Sequence, residues 1–259
     1  MQFLTTKYYR LTAPTINKNK TCALLLCLGA VFSASFSSVI QASELAPYKA
    51  TYNVLRKGKI HGEATRELSK ATDETFVLKY HSNIEWMIFS DERIEETTFT
   101  IKDSQIHPVN YVMKREGTGP DKSFRIDFDP SEQKVKHSDS KYPLKLQWRE
   151  DWQDLLSYQA QLRVDLMAGK TRFSYPIVDK EGDEKVYDFE VVGSETITLP
   201  VGNFETVKVR RMYDNDKRQA LVWFAPSLDH MMVQLYKGKD GMEQFQIQLK
   251  SLNSDKVSL

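Results

Sequence analysis

Residues 244–249, Gln-Phe-Gln-Ile-Gln-Leu, decide the fold class of this protein. Polar and apolar residues alternate strictly in this stretch, which is the two-residue period of a β-strand with one buried face and one face in water. The same alternation recurs in Ser123–Phe128 and in Tyr187–Val191. Strands of this kind are typical of antiparallel sheets, because parallel sheets are usually buried on both faces. The sequence therefore predicts a mainly β, antiparallel protein.

Strand patterns of this kind recur along the chain, separated by short turn signals such as Lys57-Gly58 and Lys239-Asp240-Gly241. The twelve predicted strands are 48–56, 60–69, 75–88, 92–102, 106–115, 122–128, 171–178, 185–199, 204–213, 219–225, 231–237 and 243–251. So many strands in one chain predict a large curved antiparallel sheet, a barrel or a sandwich.

One segment breaks the alternation. Between 151 and 168 the apolar residues recur at steps of three and four, which is the period of an amphipathic helix. The residues expected on its apolar stripe are Leu155, Tyr158, Leu162 and Leu166. We expect this stripe to pack on the concave face of the sheet, where the helix would act as a plug.

The first 42 residues have the organisation of a secretory signal peptide. Residues 1–20 are polar and basic, Cys22–Phe32 form an apolar run of 11 residues, and a Ser-rich segment leads to Ala42. The apolar run is shorter than the ~20 residues that a membrane-spanning helix needs. We expect cleavage after Ala42, which also removes both cysteines, and a single β-rich domain over 43–259. We expect the mature protein to be located in the periplasm, and we do not expect it to span a membrane.

The charge of the chain argues against a nucleic-acid partner. The sequence has 36 basic and 35 acidic side chains, and four of the basic ones, Lys7, Arg10, Lys18 and Lys20, lie in the leader. The remaining residues are close to neutral, with both signs interspersed. A nucleic-acid-binding protein normally carries a basic stripe.

The sequence offers no recognisable catalytic or metal-binding motif. There is no G-x-S-x-G nucleophile elbow, and the five histidines have no metal-site spacing. Ser227-Leu228-Asp229-His230 holds the residue types of a catalytic triad, but such close neighbours do not converge on one nucleophile. We therefore expect no catalytic residue, no metal site and no cofactor.

Two short runs, 86–89 and 221–224, are apolar at successive positions, which predicts strands covered on both faces or lining a cavity. Methionines add side chains that adapt to varied apolar ligands. The residues predicted to line an apolar cavity are Trp86, Phe124, Ile126, Phe128, Trp223, Met231, Phe245 and Ile247.

Several motifs resemble the bacterial family of domain of unknown function 3108. They are Asp154-Leu155-Leu156-Ser157 with Gln161–Leu166, Leu199–Thr206, Trp223-Phe224-Ala225-Pro226 and the opening Tyr48-Lys49-Ala50-Thr51-Tyr52. The resemblance covers most of residues 47 to 251. It implies an exported envelope protein with no agreed activity and a fold similar to the open-barrel, lipid-carrying LolA-type proteins.

Three functions remain open from the sequence. The first is a carrier or binding module for an apolar, lipid-like ligand, with the helix as plug or lid. The second is an envelope assembly protein that binds a protein partner through its sheet. The third is an enzyme, which the absence of a catalytic motif disfavours.

Overall fold

The computed structural model describes residues 45–139, 144, 146–255 and 257–259. The segment predicted as a signal peptide, with both cysteines, lies outside these residues. The signal peptide and its cleavage after Ala42 therefore stay predictions. No helix in the described part of the chain combines the length and the apolar character needed to cross a membrane.

The described chain forms one antiparallel sheet of thirteen strands. They are β1 (Tyr48–Arg56), β2 (Lys59–Lys70), β3 (Thr75–Trp86), β4 (Phe89–Lys102), β5 (Gln105–Gly117), β6 (Lys122–Asp129), β7 (Lys134–His137), β8 (Arg172–Val178), β9 (Glu184–Leu199), β10 (Gly202–Met212), β11 (Arg218–Ala225), β12 (Met231–Lys239) and β13 (Met242–Ser254). All twelve predicted strands are present, with ends shifted by three residues or fewer. The short β7 was not predicted.

Neighbouring strands in the sheet are also neighbours in sequence, with one exception. β1 pairs with β13, so both ends of the described chain lie in the middle of the sheet, while β7 and β8 are its two edges. This order gives two meanders, β1–β7 and β8–β13, joined at the centre. The open, curved antiparallel sheet expected from the sequence is confirmed.

The alternation seen in the sequence sorts side chains onto the two faces of the sheet. In β1, Ala50, Tyr52 and Val54 are buried while the residues between them are more exposed. β6 repeats the pattern with Phe124, Ile126 and Phe128. A fully buried side chain of this kind contributes roughly 1.5 to 3 kcal/mol before conformational entropy is counted.

The segment that crosses from β7 to β8 contains the helix α1 (Ser157–Met167). It packs against β5 and β8 on the concave side. Its burial differs from the expected one-sided stripe, because Gln161, Arg163 and Asp165 are buried together with Leu162 and Leu166. The helix is enclosed on most sides rather than laid on a surface.

α1 begins at Ser157, six residues later than predicted. Asp154 Oδ1 accepts hydrogen bonds from the backbone N–H groups of Leu156 and Ser157, both at 2.7 Å, and Ser157 Oγ accepts one from the N–H of Asp154. This reciprocal arrangement satisfies donors that a helix start leaves free. The preceding residue, Gln153, instead pairs with β8 at Ile177.

Candidate functional site

The concave side of the sheet encloses an open cavity of about 760 Å³. One wall comes from β2–β6 and the other from β9–β13. Leu155, Leu156, Tyr158 and Gln159, at the start of the helix segment, also line it. This volume lies within the range of ~300–1,000 Å³ that is usual for small-molecule sites.

Strand register arranges the β10–β13 wall in rows. One row is apolar and contains Ile247, Leu235, Val222 and Val209, which face one another across four strands. A second row lies two positions closer to the hairpin turns. In it, Lys237 lies between Phe245 and Ala220. Arg211 continues this second row on β10, since its neighbour Arg210 faces Leu221. The wall therefore changes from apolar to cationic towards the hairpins.

The opposite wall has a matching row of cations. Arg93, Arg115 and Lys122 face one another on β4, β5 and β6. Arg115 bonds to Asp91, and Arg93 lies 3.7 Å from Glu95. Those carboxylates offset part of the positive charge on this side.

One row deeper lies a buried arginine. Arg66 is only 7% exposed and lines the cavity. Its Nη1 donates to Gln159 Oε1 at 2.8 Å, whereas its Nε has no hydrogen-bond partner among the described residues. Desolvation works against the charge of Arg66, and the groups around it that raise its pKa are the phenols of nearby tyrosines, with Tyr48 first. A buried guanidinium that has no carboxylate partner among the described residues is costly to desolvate.

Cations outnumber carboxylates in this cavity. The basic lining residues are Arg66, Arg93, Arg115, Lys122, Lys180, Arg211 and Lys237, and the acidic ones are Asp91 and Glu95. The tyrosines are Tyr80, Tyr111, Tyr158, Tyr187 and Tyr213. Desolvation, followed by the nearby charges of Arg211 and Arg93, lowers the pKa of Lys237. The site is thus a basic, tyrosine-rich cavity with apolar strips.

Four of the eight predicted lining residues do line a cavity. Phe124, Phe245 and Ile247 line the large one. Met231 lines a small apolar cavity of about 60 Å³ next to it. Ile126 and Phe128 lie instead in the packed core beneath.

Trp223 and Trp86 require a correction, because the structure places neither of them in the cavity. Trp223 alternates with the inward-facing Val222 and so projects from the other face of the sheet, where its Nε1 donates to Glu195 Oε1 at 2.6 Å. Its run is apolar at successive positions because a second group of buried side chains, including Phe204, covers it there. Trp86 ends β3 at an exposed hairpin turn.

The four residues of the predicted plug separate into three environments. Leu155 and Tyr158 line the large cavity, and Leu155 precedes the helix. Leu162 lines the small cavity, and Leu166 packs in a core cluster with Phe173. The helix segment thus forms part of the cavity wall, as the plug hypothesis requires.

No three His, Cys, Asp or Glu side chains in the described ranges are grouped so as to hold a metal ion. The chemistry on the cavity wall is that of recognition: guanidinium, ammonium and phenol donors next to apolar strips. These donors were not predictable from the sequence, because an inward arginine in an alternating strand cannot be distinguished from a solvent-facing one.

The fold and the cavity define an open β-barrel-like protein with a ligand-sized concave site. The profile of the family described as "Protein of unknown function (DUF3108)" matches residues 35–241, so the chain belongs to this family. Comparison with curated proteins gives no match.

Solved structures of two bacterial proteins match most of this chain. A β-barrel-like protein of domain of unknown function DUF1849 from Brucella abortus is 12% identical, with a TM-score of 0.53 over 82% of this chain and 98% of that chain. A protein with a YmcC-like fold from Bacteroides fragilis is 13% identical, with a TM-score of 0.31 over 81% of this chain and 97% of that chain. The Brucella likeness shows a shared fold.

Proposed function

We propose that the protein is a non-enzymatic periplasmic binding module or carrier for a lipid-like ligand held in the concave cavity. The observation that carries this proposal is an open cavity of about 760 Å³ with a continuous apolar row on one wall. A solid core would leave no such space. The predicted signal peptide supports a periplasmic location.

Fluorescence of N-phenyl-1-naphthylamine, an uncharged probe that brightens in apolar sites, tests this function. The exported protein, purified from cells that express the full chain, is expected to bind the probe with a Kd on the order of 1 μM. Leu235→Glu places a charge in the centre of the apolar row and is expected to weaken binding at least tenfold. Gln234→Glu adds the same charge to the other face of β12 and is expected to leave binding unchanged.

Two results would reject the function. One is that the wild type does not bind the probe. The other is that Leu235→Glu binds the probe as well as the wild type does, while its urea unfolding midpoint equals that of the wild type. Either result would favour the alternative, an envelope protein that binds a partner through its sheet. The edges give that alternative little support. β7 has four residues, including Lys134 and Lys136, and β8 already pairs with Gln153.

A further inference from the structure

Two cations on the β10–β13 wall face the cavity and form no ion pair with a carboxylate of the described residues. The Arg211 guanidinium carbon lies 3.5 Å from the ring centroid of Tyr187 and 4.7 Å from that of Tyr213, and its Nε has no hydrogen-bond partner among the described residues. Lys237 Nζ lies 5.4 Å from the ring centroid of Phe245. Aromatic faces attract cations but leave their N–H donors available to a ligand.

Register brings these two cations into one space. Lys237 pairs with Ala220, and Arg211 continues the same row on the far side of that alanine. On the cavity face, only the methyl group of Ala220 therefore lies between the two cationic side chains. Like charges so placed disfavour each other, and an anion between them would relieve the repulsion. The lowered pKa of Lys237 agrees with this arrangement.

We propose that the cavity selects an anionic amphiphile, whose carboxylate or phosphate head binds Arg211 and Lys237 and whose apolar chain lies on the row of Leu235 and Val222. This inference rests on the proposed function and specifies its ligand class. A planar guanidinium and an ammonium together offer charge-assisted hydrogen bonds to either head group. The apolar row begins two residues farther along the same strands, so head and chain are recognised by one continuous wall.

Displacement of the naphthylamine probe distinguishes the ligand classes. The competitors are tetradecanoate, tetradecyl phosphate, methyl tetradecanoate and tetradecyltrimethylammonium, which share a chain and differ in the head. We expect the two anions to displace the probe at concentrations at least about tenfold lower than the ester or the cation. The double variant Arg211→Gln/Lys237→Gln is expected to remove this preference while still binding the probe. Arg210→Gln, which loses a cation bonded to Glu190 on the outer face, is the matched control.

The outcomes separate the inference from the function on which it rests. If no probe binds, the proposed function fails. If the probe binds but all four competitors act alike, or the double variant keeps the anion preference, the function stands and the head-group site is wrong. Inorganic phosphate, titrated alone by calorimetry, separates a lipid head from free phosphate. Binding as tight as that of tetradecyl phosphate would overturn the amphiphile proposal.

A second feature, independent of the cavity, is the β3–β4 hairpin. Its tip consists of Trp86, Met87, Ile88 and Phe89, which are 39%, 86%, 85% and 51% exposed. Four consecutive apolar side chains in water are unusual on a surface. The adjoining β1–β2 turn carries Ile60, which is also exposed, and contacts the tip through Arg56, whose guanidinium lies 4.3 Å from the Trp86 ring centroid.

We infer that this hairpin docks on an anionic lipid surface. Arg56, Lys57 and Lys59 outnumber the carboxylates at the two turns, Glu85 and Glu243, the second of which accepts a hydrogen bond from the Lys57 N–H, so the border of the apolar tip carries a net positive charge. Apolar side chains flanked by tryptophan and basic residues are typical of interfacial membrane binding, since the chains enter the head-group region while the cations meet anionic lipids. A neutral protein surface would satisfy the apolar tip but not the cations.

Vesicle flotation tests this inference. The wild-type protein is expected to float with vesicles of phosphatidylglycerol and phosphatidylethanolamine, and much less with phosphatidylcholine alone. Met87→Ser/Ile88→Ser is expected to lower the bound fraction at least about fivefold, whereas Val186→Ser/Val192→Ser, which alters exposed valines on β9, is expected to leave it unchanged. Equal flotation of the tip variant, or no flotation of the wild type, would overturn the inference.

Discussion

At the scale of single residues, buried polar groups fix the helix and its position. Asp154 is fully buried, yet it receives hydrogen bonds from two backbone N–H groups and, at 2.6 Å, from Thr97 Oγ1 on β4. Desolvation raises the pKa of Asp154 to about 6, because these hydrogen bonds offset only part of the cost of burying a carboxylate. One side chain thus starts α1 and ties it to the sheet.

The raised pKa predicts a stability that depends on pH. The folded state holds the Asp154 proton more tightly than the unfolded state, so the contribution of Asp154 to the free energy of unfolding falls as pH rises from about 4 through 6. Asp154→Asn keeps an oxygen acceptor for the helix start and carries no charge. We expect the variant to match the wild type near pH 4 and to exceed it by about 1–3 kcal/mol at pH 7.5. Urea unfolding at the two pH values measures this. A difference that does not change with pH would contradict it.

At the scale of elements, the strands were predictable and the helix boundary was not. Alternation marks the strands because the inward residues that pack in the core are apolar, and this signal needs no knowledge of the neighbouring strands. The four residues of β7 carry two lysines and one valine, too short a pattern to detect. The period of the helix extends back to Leu155, but the capping role of Asp154 depends on burial that the sequence does not reveal.

The packing of α1 predicts a large effect at Leu162. This side chain is 3% exposed, in a cluster with Phe173 and Phe224, and lines the small cavity. Leu162→Ala removes buried methyl groups and enlarges the cavity, so we expect a loss of about 2–5 kcal/mol in the free energy of unfolding. Val192→Ala, on the exposed side of β9, is the control and is expected to cost under ~0.5 kcal/mol. A similarly small loss at Leu162 would mean that the helix is not packed into the sheet.

At the scale of the whole molecule, the cavity is a product of pairings distant in sequence. Phe124, Phe245 and Ile247 were predictable as lining residues because they are apolar and alternate. Arg211 and Lys237 were not, since only the register of β10, β11 and β12 places them in one row. The face on which Trp223 lies was equally hidden, because both faces of its strand are buried.

The crossover segment also joins the two halves of the sheet. β6 pairs with β5 only from Asn110 onward, so the edge of β5 at Ile106 is not covered by β6. There, Gln153 Nε2 donates to the carbonyl oxygen of Ile106 at 2.8 Å, and Gln161 Oε1 accepts from its N–H at 2.6 Å. Backbone bonds of Gln153 reach Pro176 and Val178 on β8. Two glutamines therefore supply what a neighbouring strand would otherwise provide.

This link predicts a local and a global effect of Gln161→Ala. The substitution leaves the buried N–H of Ile106 without an acceptor, which is expected to cost about 1–3 kcal/mol in the free energy of unfolding. Hydrogen exchange at the Ile106 amide is expected to accelerate more than exchange at Val54 on the central strand β1, because the contact between the crossover segment and β5 opens before the rest of the sheet. Gln248→Ala, which removes an amide that donates to Gln234 on β12, is the control and is expected to change neither quantity. If hydrogen exchange accelerates equally at Ile106 and Val54, the crossover segment does not open separately from the sheet, and the two meanders open as one unit.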